Sequence, residues 1–503
     1  MSKKNIIIIG AGMAGLSAGC YLQMNGYDTE IFEAANSPGG LVTSWQRKGY
    51  IIDGCIHGLV GSSPDHPMYH VWDEVVDMDK MKFYDSPTKN VIITKEKKRF
   101  IESSNLDELE MDMKKISPED SQLIEEFIND TRYFQKFNAF GLIIRKPREL
   151  YNLFDYLKML KLFPLLKFMK KWQNMTAEEF SKKFKNPFLQ EIIKSFISPI
   201  LYEMLVLSEM DLKRSGYPIG GSLSFSRQIA QKYVQLGGKI HYNTRVSKIN
   251  TSTNGNIDKE HAIGITTESG EFFTSDIVIS AMDGYSTHFD LLGGKFIDRK
   301  LSTIYESKEL NPSQLYISLG LNKELDSEIP TQIIQLKEPF TIVDGTNYET
   351  LNLRIFNFDP KLAPQGKTLI NIELDTSKFD FWYNLRKSDR AKYSSAKNDI
   401  ALSVINILDE YLPGLKSNID MIDVATPTTF YRYTNNWKGS IMGWAAKDIF
   451  EKNPFKKELK SLKNFYMIGQ WVHPGGGVPT AFLSGRDVAQ IICKRDHKAF
   501  THD

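Results

Sequence analysis

The opening of the chain, from Lys4 to Gly40, constrains the fold more than any other stretch. Asn5–Ile9 is a β-run with four consecutive isoleucines; Gly10, Ala11, Gly12, Met13, Ala14 and Gly15 then form a G-x-G-x-x-G turn. Leu16–Asn25 reads as a helix closed by Gly26, Thr29–Phe32 as a second strand, and Glu33 stands at its end. A glycine-rich turn between a strand and a helix, inside a βαβ unit with an acidic residue about 20 positions on, is the fingerprint of a dinucleotide site. Gly10 permits the tight turn, Gly12 lets a pyrophosphate approach the backbone, and Gly15 lets the helix pack on the sheet. The helix start offers N–H groups and a partial positive charge to phosphates, and Glu33 can accept hydrogen bonds from a ribose.

Gly39 and Gly40 follow shortly after Glu33. Flavin enzymes of the glutathione-reductase-like type place a Gly-Gly pair there and follow it with a helix facing the same pyrophosphate. That likeness favours FAD over NAD. It predicts a short helix over Leu41–Gln46 and adds Met13, Ala14 and Leu41 to the expected cofactor contacts.

At 503 residues, 41% apolar and 25% charged, the chain has room for two or three domains with large cores. A net charge of +2 is too balanced to argue for a nucleic-acid partner. Cys20, Cys55 and Cys493 lie far apart, with no pair at metal spacing, which suits a reducing cytoplasm, no disulfide framework and no metal site. No uncharged apolar run reaches the length of about 18 residues that a membrane span requires.

Tyr50–Asp53 reads as a strand ending in a turn, and the following His57 is a candidate proton carrier beside a flavin. Lys82–Phe100 reads as a small antiparallel sheet. From Ser103 to about Leu212 the pattern is helical, with starts at Ser117-Pro118 and at the capping box Thr176–Glu179. Strands at Lys239–Tyr242, Arg245–Asn250, Ala262–Thr267 and Ile277–Ser280 return the chain to the first sheet. The backbone of Val246 is expected beside the adenine. From Leu301 to about Tyr433 strands and helices mix with frequent aromatics, the material of a core or of a pocket for a long apolar substrate. At the C-terminus Asn464–Gln470 is a strand entering a turn that contains Gly469 and Gln470. Trp471–Pro479 is a second glycine-rich loop, with His473, Gly475, Gly476, Gly477 and Val478, and Thr480–Lys494 is the last helix. A helix start after three glycines can lie under a planar ring and stabilise charge at the flavin N1/C2 carbonyl.

These blocks, together with Tyr217–Gly221, Leu236–Gly238, Asn243–Val246 and Ala425–Phe430, give a chain that resembles the phytoene desaturase, carotenoid isomerase and retinol saturase family of flavin oxidoreductases along nearly its whole length. The resemblance implies non-covalent FAD, a hydrophobic isoprenoid or related lipid as substrate, and attachment to the face of a membrane. Leu41 departs from the arginine or serine of many members, and Cys55-Ile56-His57 from their usual turn.

The expected fold is α/β. It has a Rossmann-like FAD domain from residues 1–82, 216–284 and 440–503, and a discontinuous α+β substrate domain from 83–102 and 285–439. Residues 103–215 are expected to form a helical, membrane-facing insertion. Within the insertion, Leu153–Trp172 combines apolar and aromatic positions with Lys158, Lys161, Lys167, Lys170 and Lys171, the composition of an interfacial helix on a cytoplasmic membrane face. Flavin N5 can take a hydride from an allylic carbon or return one to a conjugated double bond. A single fingerprint leaves no built-in NAD(P)H domain, so electrons pass to or from a quinone, oxygen or a carrier protein. His57, Arg432 and His473 are the candidates for proton transfer or charge stabilisation. A flavin amine oxidase and a non-catalytic flavoprotein scaffold are the alternative readings.

Overall fold

The computed structural model describes residues 3–136, 144, 146–160, 163–253, 260–325, 330–445, 456–473 and 476–502. Lys161, Pro474 and Gly475 lie outside the described residues, as do the side chains of Lys158, Leu166 and Lys167.

The isoleucine run becomes the centre of a nine-stranded sheet. Asn5–Ile9 pairs in parallel with Asp28–Phe32 on one side and with Ile277–Ser280 on the other. Lys239–His241 extends the first side; Leu462–Met467, Glu260–Thr267 and the antiparallel Val246–Ser252 extend the second. Ile6 to Ile9 are all buried, as befits a parallel strand covered on both faces. Helices Met13–Met24 and Val478–Arg495 pack together over one face. An added Cβ at Gly485 would come within 2.4 Å of the Ala14 carbonyl oxygen, so the close approach of these two helices requires glycine there. The first strand has a neighbour on each side reached by separate crossovers, and ligands of open α/β sheets bind at the carboxyl end of such a position.

A second, seven-stranded sheet runs in the order Ile419–Ala425, Ser313–Leu321, Thr368–Thr376, Asn347–Ile355, Thr331–Thr341, Thr88–Ile93, Arg99–Ser103. The hairpin predicted over Lys82–Phe100 forms as Thr88–Ile93 with Arg99–Ser103. It is not a separate small sheet: Thr88–Ile93 joins Thr331–Thr341 in parallel. Helices Phe379–Ser388 and Arg390–Asp409 cover one face of this sheet around Trp382, Ile400, Val404 and Leu408.

The described helices between Leu106 and Asp211 form a layer with its own core, in which Phe127, Trp172, Phe180 and Phe196 pack on one another. The capping box at Thr176 forms, with Thr176 and Glu179 exchanging bonds. This layer is pinned to the second sheet by a buried charge cluster: Lys89 Nζ lies 3.1 Å from Glu102 and 2.6 Å from Glu203 of the helix Ile200–Asp211.

The helix predicted over Leu41–Gln46 does not form. Ser44–Arg47 is a strand paired with Tyr50–Asp53. The two-residue connection Lys48-Gly49 has φ of 46° and 87°, the left-handed turn that suits a tight hairpin.

Candidate functional site

The first fingerprint and the Gly-Gly block meet in space. Gly12 and Gly39 form a parallel bridge, and Gly39 N donates to Ala11 O at 2.8 Å. An added Cβ at Gly15 would lie 2.0 Å from the Gly10 carbonyl oxygen, so this position is closed to any side chain. At Gly12 the nearest atom would be Gly39 O at 4.0 Å, so the space in front of the helix start is open. Gly12 caps that helix without a side-chain bond, and no acidic residue stands in its first turn. The positive end of the helix therefore faces this open cradle with no side-chain cap or first-turn carboxylate to oppose it. Met13 and Ala14 are its first buried residues.

Glu33 is buried. Its Oε2 accepts from Ala11 N at 2.7 Å and its Oε1 from Ala35 N at 2.8 Å. Burial pushes its carboxyl up from the ordinary range, opposed by these backbone bonds and by Arg245. Each oxygen keeps a second acceptor site, so the residue can still receive ribose hydroxyls. The strand carrying Val246 enters beside it: Thr244 N donates to Glu33 O and Asn243 N to Ala35 O.

The C-terminal block reaches the same helix. Gly469 N donates to Ser484 Oγ at 2.7 Å, and an added Cβ at Gly469 would lie 3.7 Å from Ala14 Cβ. Val478 packs on the core around the first helix, and Gly477 is the side-chain-free cap of the last one. Gly476 sits against Met442, and Gln470 against Gly443. The open cradle at Gly12, the half-satisfied Glu33 and the two uncapped helix starts fit a dinucleotide. The groups that would hold FAD are the turn Gly10–Gly15, Glu33, the Gly39–Leu41 segment, Gly469, Gln470 and Gly476–Val478. Cys20 and Cys493 are buried away in the core.

A cavity of about 720 Å³ opens between Glu33–Leu41 and the layer that covers the second sheet. Trp45, Val424, Ala425, Phe430 and Tyr433 give it apolar walls, and Arg245, Arg386, Arg390, Lys397 and Arg432 give it positive charge.

The three candidate polar residues occupy separate settings. Arg432 is exposed, lines this cavity and stacks over the Tyr433 ring at 4.7 Å. His57 does not line it; its Nε2 lies 2.9 Å from Glu373 Oε1. Burial works to raise the Glu373 carboxyl, but His57, Arg354 and Gln314 together hold it at about 2. His473 lies elsewhere, its Nε2 3.7 Å from Asp487 Oδ2, while Lys457 Nζ lies 3.0 Å from the same carboxylate oxygen. Burial, with Lys457 nearby, pushes the imidazole down to about 3, and burial lifts Asp487 to about 6.

Residues not singled out from the sequence also shape the site. Asp53 is buried and accepts from Ser44 Oγ, Tyr217 OH and Ser222 N at 2.8 to 2.9 Å, while its carbonyl accepts from Asn371 and Tyr316. It ties the Tyr50–Asp53 strand to the second sheet, to the strand Ser215–Pro218 and to the start of the helix Gly221–Gln235. The acidic end of an otherwise apolar strand was its only sequence signal.

Comparison with known proteins follows the same lines. The family described as flavin containing amine oxidoreductase matches residues 13–493. A 4,4'-diaponeurosporene oxygenase from Staphylococcus haemolyticus is 23% identical, over 100% of this chain and 99% of its own length. A lycopene-forming phytoene desaturase from a Paracoccus species is 23% identical over 97% of each chain. A solved putrescine oxidase variant shares the fold at a TM-score of 0.59 and 13% identity, covering 98% of this chain and 99% of that one. The fingerprint turn, the Glu33 carboxylate, the two uncapped helix starts and a match spanning nearly all of the sequence place this chain in the flavin containing amine oxidoreductase family.

Proposed function

We propose that this FAD-dependent oxidoreductase acts on carbon–carbon bonds of a hydrophobic polyene or related isoprenoid lipid, as a desaturase, isomerase or saturase. What carries the reading is the end-to-end correspondence with two relatives whose names describe work on carotenoid polyenes. The putrescine oxidase likeness speaks for the fold alone. The working division is a cofactor domain (1–82, 216–284, 440–503), a substrate domain (83–102, 285–439) and a helical insertion (103–215).

FAD, bound without a covalent link, supplies a hydride acceptor or donor. The chain's own residues do the rest. The Gly12 turn and Glu33 would hold the dinucleotide, and the backbone of Val246, on the strand that enters beside Glu33, would be available to its adenine. Trp45, held by its Nε1 bond of 2.9 Å to Asp423, joins Phe430 and Tyr433 in the apolar part of the cleft wall. His473, held neutral at physiological pH by burial and the nearby Lys457, is a weak base there and offers polarity rather than ready proton transfer. Arg432 offers fixed positive charge, and His57 is paired with Glu373. An external quinone, oxygen or carrier protein takes or supplies the electrons.

The insertion supports delivery from the cytoplasmic face of a membrane. Leu153, Phe154, Leu160 and Phe163 are 65% to 73% exposed, a cluster of large apolar side chains facing outward. The rest of the stretch divides differently. Leu165 and Trp172 are buried in the helical core, and Lys171 is paired with Glu126 and Asp130. The docking face we propose is therefore carried by Leu153, Phe154, Leu160 and Phe163 and not by the whole stretch. No described helix is long and apolar enough to cross a membrane.

The test is anaerobic spectrophotometry of the purified flavoprotein mixed with vesicles carrying an acyclic polyene, and separately with benzylamine and putrescine. The reading expects flavin reduction or polyene isomerisation, and no response to amines. Rapid bleaching by an amine, with no response to polyenes, overturns it in favour of an amine oxidase.

A further inference from the structure

Part of the positive charge around the cavity has no paired counterpart among the described residues. Two carboxylates share its walls, Glu33 and Asp423. Glu33 accepts from the Ala11 and Ala35 N–H groups and faces the Arg245 charge, and Asp423 accepts from Arg47 Nε at 2.9 Å and from Trp45. Arg245 lies 3.5 Å from Glu268, outside the cavity. Lys397 lies over the Tyr393 ring at 5.7 Å, which leaves as arginines Arg386 on the helix Phe379–Ser388, Arg390 at the start of Arg390–Asp409, and Arg432 on Pro427–Thr434. The side chains of these three arginines make no hydrogen bond or ion pair with any described residue. They also crowd one another: burial and then the charges of Arg390 and Arg432 lower the Arg386 guanidinium from its ordinary value. Three helices thus converge like charges on one cavity, an arrangement that repels itself until an anion arrives. Arginine clusters of this kind match the oxygen geometry of phosphate with paired N–H donors. The opposite wall is the Asn36–Leu41 segment, where Leu41, directly after the Gly-Gly pair, contributes no charge.

We propose that Arg386, Arg390 and Arg432 form a phosphate-binding site on the substrate-domain wall of the cofactor cleft. The phosphate comes either from the diphosphate of the dinucleotide itself or from a second, phosphorylated ligand. The proposal does not depend on the polyene reading, because the cluster and its chemistry are the same whatever substrate the flavin serves.

The experiment is calorimetric titration of inorganic pyrophosphate into apoprotein and FAD-loaded protein, for wild type and for a variant carrying Arg386→Gln, Arg390→Gln and Arg432→Gln. FAD affinity is measured on the same samples. Wild-type apoprotein is expected to bind pyrophosphate at least tenfold more tightly than the variant. If FAD-loaded wild type no longer binds pyrophosphate and the variant loses FAD affinity tenfold or more, the dinucleotide supplies the phosphate. If FAD-loaded wild type still binds pyrophosphate and the variant keeps its FAD affinity, a second ligand supplies it. Equal pyrophosphate affinities of wild type and variant in both states overturn the proposal. A second readout needs no variant: pyrophosphate should slow hydrogen exchange in residues 379–397 and 427–434 of the wild type. Unchanged exchange in both segments also overturns it.

Discussion

Replacing Lys89 by methionine tests how the helical layer is fastened to the second sheet. Lys89 is the one cation of a buried cluster in which Glu102 and Glu203 are fully shielded from solvent. Removing one partner of a buried ion pair costs about 3–5 kcal/mol, because the remaining charge stays in a low-dielectric interior. Here some compensation survives: Asn90 Nδ2 donates to Glu102 at 2.7 Å and Ile197 N to Glu203 at 2.8 Å. The loss should therefore fall near the lower end, about 3 kcal/mol, or roughly a hundredfold in a local opening equilibrium. Protection of amides in the helix Ile200–Asp211 against hydrogen exchange should drop by that factor, while protection of Asn5–Ile9 changes far less. The cluster also titrates. Burial first, and then the Glu203 charge, push the Glu102 carboxyl up to about 8. A carboxyl whose folded value is raised binds its proton more tightly in the fold than in the unfolded chain. Its contribution is complete below the ordinary carboxylate range near 4.5 and is lost as pH climbs through about 8. Protection in this helix should therefore fall between neutral and mildly alkaline pH in wild type and stay level in Glu102→Gln. Unchanged protection in Lys89→Met would refute the reasoning, and so would the same pH profile in Glu102→Gln as in wild type.

The His57–Glu373 pair has the opposite sign. Glu373 is depressed to about 2, so its stabilising contribution is present above the ordinary value of 4.5 and is lost as pH falls through about 2. His57→Ala should move the acid-unfolding midpoint upward in a circular-dichroism titration; an unmoved midpoint would place the pair outside the stability balance. In the insertion, Phe154→Asp with Phe163→Asp should abolish flotation with anionic liposomes at low salt while leaving the melting temperature unchanged. Equal flotation of variant and wild type would move the docking face elsewhere.

The sequence exposed what is local. The isoleucine strand, the glycine turn, Glu33 and the Thr176 capping box are each written in a few adjacent residues, and all stand where they were expected. Ser44–Arg47 is a strand and not the expected helix because Lys48-Gly49 supplies a tight turn between two runs that pair residue for residue. What depends on distant pairing was invisible. Nothing in Thr88–Ile93 says that its partner is Thr331–Thr341. Nor does spacing announce the arginine cluster. Arg386 and Arg390 are four apart, yet they belong to different helices, because Asp389 accepts from Lys392 N and caps the second. Arg432 was legible as a polar residue in an aromatic stretch, but its two companions were not. The candidate histidines were visible as residue types; their separate partners, Glu373 and Asp487, were not.

The central claim is that the Gly12 turn and Glu33 cradle a non-covalent FAD, and substitution of Gly12 tests it most directly. Gly12 has φ of −73°, which any residue adopts, and an added Cβ there meets nothing closer than 4.0 Å. A side chain at this position should therefore spare the fold and fill only the space the pyrophosphate needs. The measurement is flavin content per chain, released by acid from purified wild type and Gly12→Val, beside the melting temperature of each apoprotein. The account expects yellow wild-type protein that releases intact FAD, and a colourless variant whose apoprotein melts like the wild-type apoprotein. Full FAD occupancy in Gly12→Val, or a wild type that takes up no FAD when it is supplied, would contradict it.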